Sequence, residues 1–508
     1  MSEASKHKKV PVDPERFLRT DHLKDDLKGR SVRGGAVTLA SQGARFFLQM
    51  GSTAVLARLL SPEDYGLIGM ATVFTGFIEL FKHMGLSAAT VQRAEVNHRQ
   101  VSTLFWINVG LGLVMTLLAA ASAPVVAWFY GAPELLPIVL ALSITFALSG
   151  FNVQHRALLL RQMRYRIQAQ IEIVSMVMGV AAAIITGLMG WGYWALVAMQ
   201  LTKACTEMVM IWWSCQWRPG LPDWQSGIKP FLSYGSNLTG FQVVNYFSRN
   251  FDNVLIGRVW GSQELGLYAK AYQLVLFPIL QINTPISRVA LPSLSRLQDN
   301  PEKYRKYYYK ALTSITTVGM PIVAFMFATA DNVILLLLGE QWLGTVAIFQ
   351  WLMPAAFLAT FNVATGWVYQ SSGRTDKQFR WGLLGSSITV LVFAIGVRWG
   401  AIGVAAGFSI LRVVWLIPTL SFCYAGTPLR LTGLFTNLAF PACASLGAAA
   451  IVIGINHLYL QSFDGIITLG IDALMYAALY PLVWLIIPGG RKRLIDTISL
   501  LKSLNKKK

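Results

Sequence analysis

Charge is scarce in this chain. Only 13% of its 508 residues are Asp, Glu, Lys or Arg, roughly half the share carried by soluble globular proteins. The deficit excludes an ordinary soluble enzyme and a disordered chain. It equally argues against a nucleic-acid partner, even though the net charge is +19. Cysteine is nearly absent. Cys205, Cys215, Cys423 and Cys443 stand in no metal-like spacing and in or beside apolar segments, so they read as small packing residues. The six His residues are scattered, and there is no Asp-rich metal motif or nucleotide-binding loop. No catalytic residue, metal or cofactor is therefore expected. What the chain has in quantity is apolar surface: 54% hydrophobic residues, a mean hydropathy of +0.51, 16 Trp and 43 Gly. That balance belongs to a multi-span membrane protein.

Crossing a hydrocarbon core of ~30 Å takes about 20 mostly apolar residues. Fourteen such segments run from 35–60 to 466–487. Before them, residues 1–33 contain no apolar signal-peptide core; Phe17, Leu18, Leu23 and Leu27 suit either a weak surface helix or a disordered tail. After Pro488, the run RKRLIDTISLLKSLNKKK suits a basic helix on an anionic leaflet. Basic residues orient the spans, because cytoplasmic loops retain them. With an even number of spans, 34 of the 43 Lys and Arg fall on the side that holds both termini. The connectors SPEDY, YGAPEL, GWG, GSQEL, LLGEQWLG and YLQSFDG on the opposite side contain none. Both termini are expected in the cytoplasm.

The sequence repeats itself. LARLLSPEDYGL at 56–67 aligns with IGRVWGSQELGL at 256–267, keeping Arg58/Arg258, Gly66/Gly266 and Leu67/Leu267. Phe151-Asn152-Val153 recurs as Phe361-Asn362-Val363, and Trp191-Gly192 as Trp399-Gly400. Three echoes in one order indicate two copies of a six-span unit. Six is even, so the copies have the same orientation, a transporter design with the substrate between halves. The expected layout is a tail over 1–33, a lobe over 34–214, a linker over 215–230, a second lobe over 231–424, two further helices over 436–487 and a basic tail over 488–508.

The turn Arg58-Leu-Leu-Ser-Pro-Glu-Asp-Tyr-Gly-Leu67, the loop Leu338-Gly-Glu-Gln-Trp342 and the fourteen-span layout resemble the Wzx-type polysaccharide exporters. These form the polysaccharide transport branch of the MOP superfamily, and the likeness is close to colanic acid exporters. The resemblance covers about residues 30–490. It implies an all-α membrane fold with MATE-like paired lobes. It also implies a substrate of undecaprenyl-diphosphate-linked oligosaccharide, flipped between leaflets in contact with membrane lipid, with a polymerase and chain-length machinery as further partners.

Moving a diphosphate and sugars past hydrocarbon needs fixed positive charge and amide or hydroxyl groups. Arg suits phosphate through its paired donors and permanent charge. Thr38, Gln42, Arg45, Gln49 and Ser52 fall within an arc of about 80° on the first span. The matched positions of span seven hold Gln242, Asn245, Arg249 and Asp252. These stripes suit a central cavity, with polar glue between helices as the alternative. Arg45, Arg249 and Arg412 are the expected phosphate contacts, and Gln42, Gln49, Gln242 and Asn245 the sugar contacts. Asp252 and Glu79 are candidates for ion or proton coupling. Glu79–Lys82 and Lys203–Glu207 have helix-pair spacing and fit either self-neutralising pairs or cavity residues. Lys270 sits where it can snorkel to water. A small-molecule antiporter of the MATE branch is the alternative function. Cationic drugs call for an acidic cavity, whereas these stripes carry Arg. A membrane polymerase or ligase is further away, because the outer connectors are short.

Overall fold

An apolar segment in lipid has no water for its backbone N–H and C=O groups, and a helix satisfies them within the segment. The structure, a computed structural model, describes Leu18 and residues 27–82, 90–91, 93, 96–223, 229–459, 465–487 and 490–491; the side chains of 27–28, 30–32, 81–82, 229–245, 459 and 466 are outside that description. Among the described residues the regular structure is helical throughout, without strands. The chain divides into two compact units, Met1–Asn250 and Phe251–Lys508.

The first unit contains α1 (Leu27–Leu59), α2 (Pro62–Lys82), α3 (His98–Tyr130), α4 (Leu135–Arg161), α5 (Tyr165–Leu188) and α6 (Trp194–Ser214). Next, α7 covers Lys229–Ser295 and is broken at Gly261, whose φ of 84° and ψ of −173° are not helical. That break separates the two spans expected at 231–259 and 266–290. The second unit continues with α8 (Pro301–Ala328), the short α9 (Ala330–Leu337), α10 (Gly344–Ser371), α11 (Thr375–Gly396), α12 (Gly400–Val414), α13 (Leu416–Tyr424), α14 (Leu431–Tyr459) and α15 (Gly465–Ile486). Among the described residues, nine helical stretches are long and apolar enough to cross a membrane. The helices α1, α2 and α6, which carry ionisable residues in mid-segment, are not among them.

Local sequence explains the turns. Ser61-Pro62-Glu63-Asp64 starts α2 with Pro in its first position, and Asp64 accepts from the Ser61 N–H at 2.9 Å and hydroxyl at 2.8 Å while its own N–H donates back to Ser61 Oγ at 3.2 Å. Asn97 caps α3 reciprocally with Gln100, each side chain accepting from the other's backbone N–H.

In the first unit α3 packs on α4, α5 on α6, and α4 on α6. The α3–α4 crossing is close: a Cβ on Gly112 would lie 2.8 Å from the Phe146 carbonyl, and one on Gly150 2.7 Å from the Asn108 carbonyl. The second unit repeats these pairings as α8 on α10, α11 on α12, and α10 on α12. Gly319 and Thr360 stand at the equivalent crossing, 3.2 Å apart by the same measure. The echoed turns also repeat in space. Gly192 lies against the Asp64 carboxylate in the first unit, and Gly400 against the Glu264 carboxylate in the second.

Two expectations for the ends of the chain change. The first helix begins at Leu27, inside the stretch expected to be tail. Leu18 is buried in an apolar cluster with Phe105, Leu158 and Trp217, and its carbonyl accepts from Arg161 Nε at 3.1 Å, so it packs on the protein instead of a bilayer surface. The basic C-terminal run from Lys492 onward lies outside the described residues. Cys215 and Cys423 are buried as expected, whereas Cys205 and Cys443 are exposed.

Candidate functional site

Three polar helix faces of the first unit line one cavity of about 720 Å³. From α2 come Thr72, Thr75, Gly76 and Glu79; from α4 Thr145, Ser149, Asn152 and Arg156; from α6 Gln200, Lys203 and Glu207. Each set recurs at three- and four-residue steps, the spacing that keeps side chains on one face. Leu142, Phe146, Val153 and Leu160 complete the wall with apolar surface. Hydroxyls, amides and charges of both signs therefore meet inside a membrane-embedded unit.

Charge inside the cavity is distributed in a specific way. Arg156 of α4 pairs with Glu207 of α6, so the ion pair joins two helices. Of the two readings open for Lys203 and Glu207, the structure places both in the cavity lining and pairs Glu207 with Arg156. Arg presents paired donors to a carboxylate and prevails over a flexible ammonium one turn away. Lys203 is consequently left without an ion pair among the described residues. Asn152 is 7% exposed, and among the described residues its side-chain oxygen has no hydrogen-bond partner, nor has that of its repeat counterpart Asn362. An unpartnered acceptor and an unpaired ammonium in a polar cavity are suited to sugar hydroxyls and an anionic group, respectively.

The residues singled out in the sequence are placed as follows. Glu79 lines this cavity. Arg45 is half-buried and pairs with Glu172 of α5 at 2.6 Å, away from the cavity lining. Gln42 is half-buried and Gln49 exposed on the same helix. The side chains of Gln242, Asn245 and Lys82 lie outside the described ones. Arg249 is exposed. In the second unit Asp252 is 3% exposed and accepts from the Tyr268 hydroxyl and the Asn253 N–H, each at 2.8 Å. Arg412 is exposed and stacks over the Phe408 ring at 4.8 Å. Lys270 is 5% exposed and reaches Gln273 at 3.4 Å, so it is buried within the second unit instead of snorkelling. Among the described residues no group of three or more His, Cys, Asp or Glu is placed to hold a metal.

The geometry is that of a membrane protein with a polar interior, and its sequence can be matched directly. Residues 55–347 match the polysaccharide biosynthesis protein family. The chain belongs to this family. It is 29% identical over 416 residues to the teichuronic acid biosynthesis protein TuaB of Bacillus subtilis strain 168, covering 80% of this chain and 85% of TuaB. It is 25% identical over 395 residues to the lipopolysaccharide biosynthesis protein WzxC of Escherichia coli strain K12, covering 76% of this chain and 80% of WzxC. In fold it is similar to the lipid II flippase MurJ in an inward closed conformation, with a TM-score of 0.68 at 15% identity, covering 89% of this chain and 98% of MurJ. An inward-facing multidrug resistance MATE family transporter of the MOP superfamily has a TM-score of 0.59 at 17% identity, covering 74% of this chain and 94% of the transporter. The chain is thus an all-α, multi-pass membrane protein of the MOP fold.

Within this family member the sequence reading missed Arg156 and Asn152 as cavity residues. Arg156 stands near the basic end of α4, which continues to Arg161. Asn152 was noticed for its place in the repeat. Its spacing from Thr145, Ser149 and Arg156, at helical steps on one face, was the signal available.

Proposed function

We propose that this protein is a flippase, a transporter and not an enzyme. It moves undecaprenyl-diphosphate-linked oligosaccharide units from the cytoplasmic to the periplasmic leaflet of a bacterial inner membrane. The products feed exopolysaccharide, capsule or O-antigen synthesis, with polymerase and chain-length proteins downstream. The observation that carries the reading is the polar cavity, with Lys203 unpaired in it, inside a member of the polysaccharide biosynthesis family. In this reading fourteen spans cross the membrane and both termini are cytoplasmic. Hydroxyls and amides of the cavity engage sugar, and Lys203 engages an anionic group of the substrate. Arg45, Arg249 and Arg412, with Gln42, Gln49, Gln242 and Asn245, supply contacts along the remaining path. Glu79 and Asp252 are the carboxylates proposed for ion or proton coupling.

A MATE-like small-molecule antiporter is the second reading, because the cavity lining also holds the Glu79 carboxylate beside Lys203. The test is complementation of polymer export in a flippase-deleted strain, with membrane protein quantified alongside. The wild-type chain is expected to restore export. Lys203→Gln is expected to accumulate normally and restore little. Failure of the wild type, with resistance to cationic drugs conferred instead, would replace this reading by the antiporter.

A further inference from the structure

The two helices that follow the repeat contain a buried carboxyl with no described role in the cavity. Asp472 of α15 is 0% exposed, in an apolar stretch, Ile467–Ile486, of mean hydropathy 1.7. Its Oδ2 accepts from Asn456 Nδ2 of α14 at 3.0 Å. Among the described residues its Oδ1 has no hydrogen-bond partner, and neither has Asn456 Oδ1. Asn332 of α9 also offers its side-chain amide to this carboxyl, while Oδ1 stays unsatisfied.

Two buried acceptors left over from one carboxyl–amide contact have a single economical explanation. A proton on Asp472 Oδ1 turns that oxygen into a donor toward Asn456 Oδ1, while Asn456 Nδ2 continues to donate to Asp472 Oδ2. Both orphaned oxygens are then satisfied in a closed acid–amide pair that carries no charge. An ionised Asp472 would leave two acceptors unsatisfied and a buried charge offset only by neutral amide donors.

The compensation the neighbours supply is neutral: Asn456 and Asn332 offer amide donors to the carboxyl, and among the described residues no cation pairs with it. The helices α8, α9 and α14 pack against α15. Among the described residues the titratable groups at this end of them are Asp331 of α9, which is acidic, and His457 of α14, which is exposed. On α15 itself, Tyr476 donates to the Ser445 carbonyl at 3.0 Å. The basic residues of α8, Lys303, Arg305, Lys306 and Lys310, all stand at its opposite end.

We propose that Asp472 and Asn456 form a proton-binding site that ties α14 to α15, occupied at neutral pH. Loss of the proton sets oxygen against oxygen and loosens the two helices. The site is independent of the flippase reading. Infrared difference spectroscopy of the full chain in nanodiscs at pH 7 tests it, comparing wild type with Asp472→Asn. The wild type is expected to show a protonated-carboxyl C=O band that the variant lacks. The variant is expected to keep its melting temperature, because the new amide restores the donor. Loss of a carboxylate band instead would overturn the proposal. So would a sodium-dependent rise in melting temperature in the wild type but not the variant, which assigns a metal cation. Should Asp472→Asn not accumulate, Asn456→Leu decides: the band is expected to survive and move to higher wavenumber as its acceptor is lost. An unmoved or absent band would overturn the proposal.

Discussion

At the residue scale, the decisive matter is which charges are already balanced. Arg45 and Glu172 each retain 36% exposure in their pair. Exposed pairs are worth about 0–1 kcal/mol, so Arg45→Gln is expected to leave thermal stability nearly unchanged. If Arg45 only balances Glu172, then Arg45→Gln with Glu172→Gln exports normally; if it meets the diphosphate, the neutral pair exports poorly at normal protein level. The second outcome is expected, measured by complementation. Arg156 and Glu207 differ, because Glu207 is only 20% exposed. Removing Arg156 strands that carboxylate in the cavity, a loss of about 1–3 kcal/mol. Arg156→Gln should therefore lower the melting temperature in detergent, and adding Glu207→Gln should recover most of it. Equal melting of single and double variants would show that the pair does not hold α4 to α6. Sequence spacing left Lys203 and Glu207 as either a helix pair or cavity residues because it sees one helix at a time. The competing partner was Arg156, 51 residues earlier on α4.

At the element scale, the repeat extends to helix ends that the aligned motifs do not include. After α4, Met163 adopts a φ of 52°, and after α10, Gly373 adopts a φ of 67°. Both turns close with the same long bond, Arg164 N–H to the Leu159 carbonyl at 3.0 Å and Arg374 N–H to the Tyr369 carbonyl at 2.8 Å. A side chain in the left-handed region costs about 1–2 kcal/mol, an expense glycine avoids. Met163→Gly is expected to raise thermal stability by up to about 1 kcal/mol after the unfolded-state entropy of glycine is deducted. A clear loss of stability would mean that the Met163 side chain contributes packing that outweighs the backbone strain. Element order was legible in the sequence because apolar length and Trp-Gly or Ser-Pro-Glu-Asp punctuation are local properties. The start of α1 was not, since residues 27–34 are polar and basic while their backbone continues the helix.

At the scale of the whole molecule, hydropathy conveyed the fold class and the echoes conveyed the doubling. The pairing of α3 with α4 and of α8 with α10 follows from that doubling. The position of the cavity was only half legible. Glu79, Lys203 and Glu207 were suspect as embedded charges, but their meeting with α4 depends on packing at Gly112 and Gly150, which no single-helix pattern reveals. The polar stripe of α1, the strongest one-helix signal, instead has its Arg45 bound to Glu172. The proposed topology is checked by reporter fusions at Asn300 and Gln341, expected to read cytoplasm and periplasm respectively; the reverse would invert every assignment of sidedness.

The central claim is tested most directly by translocation in reconstituted vesicles. The purified chain is placed in liposomes with an isoprenoid-diphosphate-linked oligosaccharide confined to one leaflet, and arrival in the other is followed with a membrane-impermeant glycosidase. Wild-type protein is expected to move the lipid-linked sugar far faster than protein-free vesicles do. Lys203→Gln is expected to slow it by roughly tenfold or more, the value of one hydrogen bond to a charged group. Transfer no faster than in protein-free vesicles, with an active preparation verified by its restoration of export in cells, would contradict the account.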